Sequence, residues 1–264
     1  MKATAIAPAN IAFIKYWGKQ DEKLHLPFNS SISMNLSGTY TTTTVDFSPN
    51  YEVDQVFFLE SDSSHKIPRP LQVVCDAGEV QRVKIHLDQI RRLAQRREKA
   101  KIMTQNNFPK GGGIASSASG FAALTVAAVA ALGLKLLQKE LTMLARLGSG
   151  SACRSIPAGF VEWVAGGSSE TSYAHSLYPE DYWDLRDVIL IVSQEKKEVP
   201  TTAGMERIKT SSWWRERITA IPKRINRLKQ AFEDKDFRKL GEVIEEDCLD
   251  MHWVMQTQNP PLFY

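Results

Sequence analysis

The sequence predicts an α+β protein, on three features. Short β-branched runs of alternating polarity fill the N-terminal quarter, the pattern of strands with one buried face. A triple glycine, Gly111-Gly112-Gly113, leads into an alanine-rich and nearly uncharged stretch, residues 121–132, which reads as a buried helix. Beyond residue 210 the apolar residues recur with helical spacing, as in amphipathic helices.

Taken in order, residues 2–7 alternate loosely and open the chain as a strand. Pro27 and Asn29 mark a turn. Ile32, Met34 and Leu36 then alternate with Ser33 and Asn35 as a second strand. Residues 39–47, rich in threonine, form a third, and Gln55–Leu59 a fourth. Residues 61–70 are polar loop. Residues 80–100 are a helix with Val83, Leu87, Ile90 and Ala94 on one face, and residues 101–108 a strand. The helix of residues 137–147 carries Leu137, Leu141, Leu144 and Leu147 on one side and stops at Gly148. Tyr173 to His175 is a short strand, and residues 187–192 a buried one. The domain boundary falls just before the latter, giving domains 1–180 and 181–264. Residues 211–232 are helical, bent or restarted at Pro222. Asp236 caps the last helix, whose apolar face is Phe237, Leu240, Ile244, Cys248, Met251 and Met255. Glu245, Glu246, Asp247 and Asp250 fall mostly on its other side and read as solvated.

Composition excludes several classes. The 264 residues are 43% hydrophobic and 24% charged, ordinary for a soluble chain. A net charge of +3 is too small to argue for nucleic acid. The basic run Arg91, Arg92, Arg96, Arg97, Lys99 and Lys101 has no interleaved aromatics and reads as a solvated helix face. No apolar run approaches the ~20 residues that cross a bilayer, and the N-terminus lacks the apolar core of a leader. Neither membrane nor nucleic acid is expected as a partner. Cys75, Cys153 and Cys248 are odd in number and widely spaced, forming neither a disulfide framework nor a metal motif; a reducing cytoplasm fits. His25, His65, His86, His175 and His252 lack metal-ligand spacing, so no metal is fixed by side chains alone.

Four stretches carry chemistry. Lys110-Gly111-Gly112-Gly113-Ile114-Ala115-Ser116-Ser117-Ala118-Ser119 feeds a helix N-terminus, whose free N–H groups and dipole suit phosphate. It is not a Walker loop, and the plainer reading is a tight turn before a core helix. Lys15-Tyr16-Trp17-Gly18-Lys19 flanks two aromatics with cations that suit an anionic ligand; the plainer reading is a strand end with a packed Trp17. Gly148-Ser149-Gly150-Ser151-Ala152-Cys153-Arg154-Ser155 offers hydroxyls, open backbone and one guanidinium for carboxylate or phosphate. Cys153 has no neighbouring histidine to make it a nucleophile. Thr201 and Thr202 place hydroxyls near a further helix start.

These stretches resemble the GHMP kinase superfamily and, within it, the diphosphomevalonate decarboxylase family. The blocks carrying the resemblance are Ala7-Pro8-Ala9-Asn10-Ile11-Ala12 through Lys19, Leu26-Pro27-x-Asn29-Ser30-Ser31-Ile32-Ser33, the glycine loop, residues 148–155, Thr201-Thr202-x-Gly204-Met205, Met251-His252 and Pro260-Pro261-Leu262-Phe263-Tyr264. They span the chain in the family's order. The resemblance implies a ribosomal-S5-like N-terminal domain followed by an incomplete ferredoxin-like domain. It implies ATP with Mg2+ as cofactors, diphosphomevalonate as substrate, and a homodimer. Lys110, Gly111, Gly112, Gly113, Ile114, Ala115, Ser116, Ser117 and Ser119 would cradle ATP, with Ser116 or Ser117 near magnesium. Asn10, Tyr16, Trp17, Gly18, Lys19, Ser149, Gly150, Ser151, Ala152, Cys153, Arg154, Thr201 and Thr202 would bind the substrate. Lys15, Arg154 and Ser149 would be catalytic, Arg154 holding the substrate carboxylate. The two loops are expected to share one cavity, with Gly112 and Arg154 both bordering it. In the family, a catalytic aspartate lies in an Asp-Ala-Gly-Pro-Asn block downstream of the Pro-Pro-Phe-Tyr region. The sequence stops short of it, so either a fragment of a longer product or an impaired protein is expected. The rival readings are a monophosphate decarboxylase, a small-molecule kinase and a nucleotide-binding pseudoenzyme.

Overall fold

The computed structural model describes residues 1–59, 77–108, 116–190 and 201–263, with backbone alone for residues 201–203. In chain order the elements are β1 (Lys2–Ile14), β2 (Lys19–Asp21), β3 (Leu26–Pro27), β4 (Ser31–Ser48), β5 (Gln55–Leu59), α1 (Ala77–Ala94), β6 (Lys99–Asn106), α2 (Ser116–Ala131) and α3 (Gln138–Gly148). There follow β7 (Phe160–Trp163), β8 (Ala174–Tyr178), α4 (Thr201–Glu206), α5 (Trp214–Asp234) and α6 (Phe237–Thr257), with 3-10 turns at Gly150–Ser155 and Ile208–Thr210. The chain divides into two compact units. One comprises Met1–Asn10 and Asn35–Pro157, the other Ile11–Met34 and Ala158–Tyr264.

In the first unit, β4 runs antiparallel to β6 from Thr41 opposite Asn106 to Ser48 opposite Lys99, and β6 runs parallel to β5. The β-branched residues favour this pleated surface, and Val45, Phe47 and Ile102 meet Leu87 and Ile90 of α1 and the alanines of α2 in one core. Small side chains let α2 and α3 approach closely: a Cβ on Gly148 would lie 2.2 Å from Phe121 Cδ1. That approach delivers the chain after α3 to the first turns of α2.

In the second unit, Ser31–Met34 of β4 pairs antiparallel with β7, and β7 with β8. Phe160, Tyr178, Tyr182 and Trp183 pack edge-on or tilted around Phe232 of α5 or stack on one another. A second cluster joins Trp17, Met205, Ile208, Val254, Met255 and Leu262.

Several sequence expectations are corrected. The two strands expected around residues 32–47 are one continuous β4, because its two halves find separate partners, β7 and β6, and no turn is needed between them. α1 ends at Ala94 rather than near residue 100, where Gln95 takes a left-handed φ of 53° and the Arg96 N–H returns to the Arg91 carbonyl at 2.9 Å. α5 runs unbroken through Pro222. The expected buried strand at residues 187–192 does not form over its described part. Residues 187–190 join no ladder, and Val188 and Leu190 are 81% exposed, since no described strand flanks them. Residues 191–192 and the loop 61–70 lie outside the described residues. Of residues 148–155, read as a loop, Gly148 ends α3, Ser149 is extended and Gly150–Ser155 coil into a 3-10 turn.

Candidate active site

The first unit carries the start of α2 and the turn after α3. Lys110, Gly111, Gly112, Gly113, Ile114 and Ala115 lie outside the described residues, so the expected placement of Gly112 beside Arg154 does too. The helix they feed begins at Ser116, half-buried, with Ser117 exposed. Its first N–H groups have no partner within the helix. Ser149 Oγ donates to Ser117 Oγ at 3.4 Å, so the two small-residue stretches singled out in the sequence meet through their hydroxyls. Ser119 faces inward: it is fully buried, 2.6 Å from Thr41 Oγ1, and steadies the first turn of α2.

Asn10 organises the second stretch. Its Nδ2 donates to Ser155 Oγ at 2.8 Å and to the Ser151 carbonyl at 3.3 Å, while its Oδ1 accepts from Arg154 Nη2 at 3.3 Å. Asn10 lies on β1, so the strand sets the arginine's position from 144 residues away. Arg154 is 4% exposed, a desolvated guanidinium whose fork suits a carboxylate. The Ala152 N–H closes on the Ser149 carbonyl at 2.8 Å. Ala152, Gly150 and Cys153 are buried and supply backbone and shape. Burial pushes the Cys153 thiol up to about 12, although Arg154 and Arg146 pull it down. The thiol donates to the Gly150 carbonyl at 3.0 Å and stays protonated at neutral pH, which rules out a thiolate nucleophile.

The second unit carries the Lys-Tyr-Trp-Gly-Lys stretch just beyond β1. The Lys15 N–H donates to Asp247 Oδ2 at 2.8 Å, and its carbonyl accepts from Asn29 Nδ2 at 3.1 Å and Arg217 Nη2 at 3.3 Å. Tyr16 stands edge-on to Trp163, ring centroids 4.6 Å apart. Trp17 is 2% exposed, its ring in the cluster with Met205 and Ile208. Gly18 has a φ of +90°, and a Cβ there would lie 2.7 Å from Ile208 Cδ1. Lys19 Nζ is 2.5 Å from Glu22 Oε2. A Cβ on Gly204 would come within 3.1 Å of Trp17 Cη2. The helix that starts at Thr201 and Thr202 is thereby pressed against the Tyr16–Trp17–Gly18 turn, two stretches far apart in sequence.

The solvated reading of the acidic residues needs correction at Asp250, whose side chain is 10% exposed and paired with Arg217 and Arg224, and at Asp247; sequence reasoning missed Asp247 and Arg217. Both side chains are 0% exposed and ion-paired at 3.1 Å. A signal was present: Asp247 follows Leu240 by seven and Val243 by four, and precedes Val254 by seven, placing it on the buried stripe of α6. Of the expected apolar face, Leu240 and Met255 are buried, Ile244, Cys248 and Met251 are half-buried and Phe237 is exposed; Val243, Asp247 and Val254 complete the buried stripe. Among the described residues, no cluster of three or more acidic, histidine or cysteine side chains could hold a metal, and no helix is long and apolar enough to cross a membrane.

Comparison with known proteins decides the family. A model described as diphosphomevalonate decarboxylase-like N-terminal domain matches residues 7–174, and one described as mevalonate 5-diphosphate decarboxylase C-terminal domain matches residues 187–264. The chain belongs to the diphosphomevalonate decarboxylase family. The Candida albicans diphosphomevalonate decarboxylase is 40% identical over 99% of this chain and 74% of its own length. The Danio rerio member is 38% identical, with 99% and 66% covered. Among solved structures, "MDDEF in complex with MVAPP, AMPPCP and Magnesium" superposes with a TM-score of 0.88 at 37% identity, covering 100% of this chain and 78% of that one. The Staphylococcus aureus mevalonate diphosphate decarboxylase gives 0.86 at 38%, covering 100% and 77%. The fold is accordingly the α+β GHMP kinase fold of the diphosphomevalonate decarboxylase family.

Proposed function

We propose that this chain serves the ATP-dependent decarboxylation of (R)-5-diphosphomevalonate to isopentenyl diphosphate, ADP, phosphate and CO2. The observation that carries the reading is the meeting of the α2 start with the Arg154 turn through Ser117 and Ser149, in a chain of this family. A relative's complex with MVAPP, AMPPCP and magnesium supports the ligand classes.

The residues present fit a magnesium nucleotide: two hydroxyls, Ser117 and Ser149, converge at a helix start, where free N–H groups suit phosphate. Ser116 or Ser117 would hold the ion beside the phosphates, and the glycine loop the phosphates themselves. When bound, ATP supplies the phosphoryl group that turns the tertiary 3-hydroxyl into a leaving group. Arg154, aimed by Asn10, holds the substrate carboxylate so that the C1–C2 electron pair can form the C2–C3 double bond as C3–O breaks. Its charge, with that of Lys15, stabilises the departing anion. Tyr16, Trp17, Gly18 and Lys19, with Thr201 and Thr202, form the seat for the diphosphate arm. Ser149 orients the reacting end, while Ser151, Gly150, Ala152 and Cys153 shape its wall.

A domain boundary near residue 180 is part of this reading. A cytoplasmic homodimer belongs to the same reading, and light scattering of the purified chain tests the dimer. The activity is tested by supplying the full-length protein with MgATP and, separately, diphosphomevalonate and phosphomevalonate. Equimolar CO2, phosphate and ADP from the diphosphate is expected. Release of CO2 only from the monophosphate, or a phosphorylated product with no CO2, would overturn the assignment.

A further inference from the structure

We propose that the buried Arg217–Asp247 pair is a positioning device for Lys15, holding that residue's peptide groups so that its side chain keeps one aim. The proposal rests on the functional reading above, in which Lys15 supplies charge near the reacting centre.

The geometry is specific to one residue. A single carboxylate oxygen, Asp247 Oδ2, accepts the Lys15 N–H at 2.8 Å, and a single guanidinium nitrogen, Arg217 Nη2, lies 3.2 Å from that oxygen and 3.3 Å from the Lys15 carbonyl. Lys15 is thus bracketed on both peptide groups just past the end of β1. The clamp comes from α5 and α6, more than 200 residues away, and it is itself held. Arg217 Nη1 donates to the Asp247 carbonyl at 3.0 Å and to Asp250 at 3.2 Å, and Arg224 ties Asp250 to Glu246. Hydrophobic residues of similar volume could join two helices at no loss of stability. They could not address a peptide N–H and carbonyl at once. A fully buried ion pair that gives one hydrogen bond from each partner to a lysine's backbone is therefore explained by placement as well as by the joining of α5 to α6. Reactive geometry is sensitive to displacements near 1 Å, and a hydrogen bond to a charged group resists them more strongly than a neutral one.

The test uses the full chain and diphosphomevalonate as the probe, with binding followed by calorimetry and folding by thermal unfolding. Asp247→Asn is expected to weaken binding about tenfold, the order set by one charged hydrogen bond. In a Lys15→Met background the same change is expected to move affinity less than about twofold, while its effect on Tm persists undiminished. Arg217→Lys, which keeps the charge and loses the fork, is expected to follow the same pattern. An unchanged affinity in Asp247→Asn, or an equal loss with and without Lys15, would overturn the clamp and leave a structural staple. If the variants do not fold, amide exchange on the wild type still decides: a Lys15 N–H exchanging like a surface amide overturns the proposal, and core-like protection supports it. A wild-type chain that does not bind the compound sinks the functional reading instead, so the two failures are distinguishable.

Discussion

Gly18 meets two constraints at once, a φ of +90° and a side chain's worth of space already filled by Ile208 and Phe28. Either constraint disfavours a Cβ, the first through backbone strain and the second through overpacking. Gly18→Ala is expected to cost about 1–3 kcal/mol, read as a lower denaturation midpoint at unchanged m, and to weaken ligand binding through the neighbouring Trp17 and Lys19. Gly241 is the control. It sits inside α6, and a Cβ there meets nothing within 4 Å, so Gly241→Ala is expected to stabilise by about 0.5–1 kcal/mol. The sequence shows both glycines equally plainly. What separates them is a neighbour 190 positions downstream of Gly18, beyond the reach of any local pattern.

At the scale of elements, the start of α6 was legible because capping is local. Asp236 precedes the helix, and its Oδ1 accepts the Lys239 N–H at 3.0 Å, as read from the residue types. That backbone N–H, with Lys239's charge adding to it, holds the carboxyl below its ordinary 3.8. A depressed carboxyl contributes stability above its unfolded value and loses it as pH falls through the folded one. Asp236→Ala is therefore expected to lower Tm at neutral pH by an amount that stays constant down to about pH 5 and vanishes well below 3.8. A difference that instead grew on acidification would contradict the cap. The phase of the same helix was not legible from the sequence reading. Leucines and methionines mark more than one stripe on α6, and a carboxylate on the buried stripe looks, residue by residue, like one facing water. Pro222 is a similar case: Ile221, Ile225 and Leu228, all buried, pack on either side of it, and α5 does not restart there.

For the whole molecule, ligands that bind only the folded chain must stabilise it by mass action. MgATP and diphosphomevalonate, each at about 100 times its Kd, are expected to raise stability by about 2.7 kcal/mol per ligand, measured as a Tm that climbs with ligand concentration. A Tm that ignores both compounds would contradict the proposed function. The sequence by itself determined the α+β class, the small-residue loops, the cation–aromatic stretch and most helices. Each of these follows from residues within a few positions of one another, where propensity, capping and periodicity act. Only the tertiary structure decided that Asn10 would aim Arg154 across 144 positions, that Ser149 would reach Ser117, and that Asp247 would be buried against Lys15 across 232. A polar side chain carries the same donors and acceptors whether it faces water or a partner. Which of the two it meets is settled by the packing of the apolar residues around it, and that is a property of the folded chain.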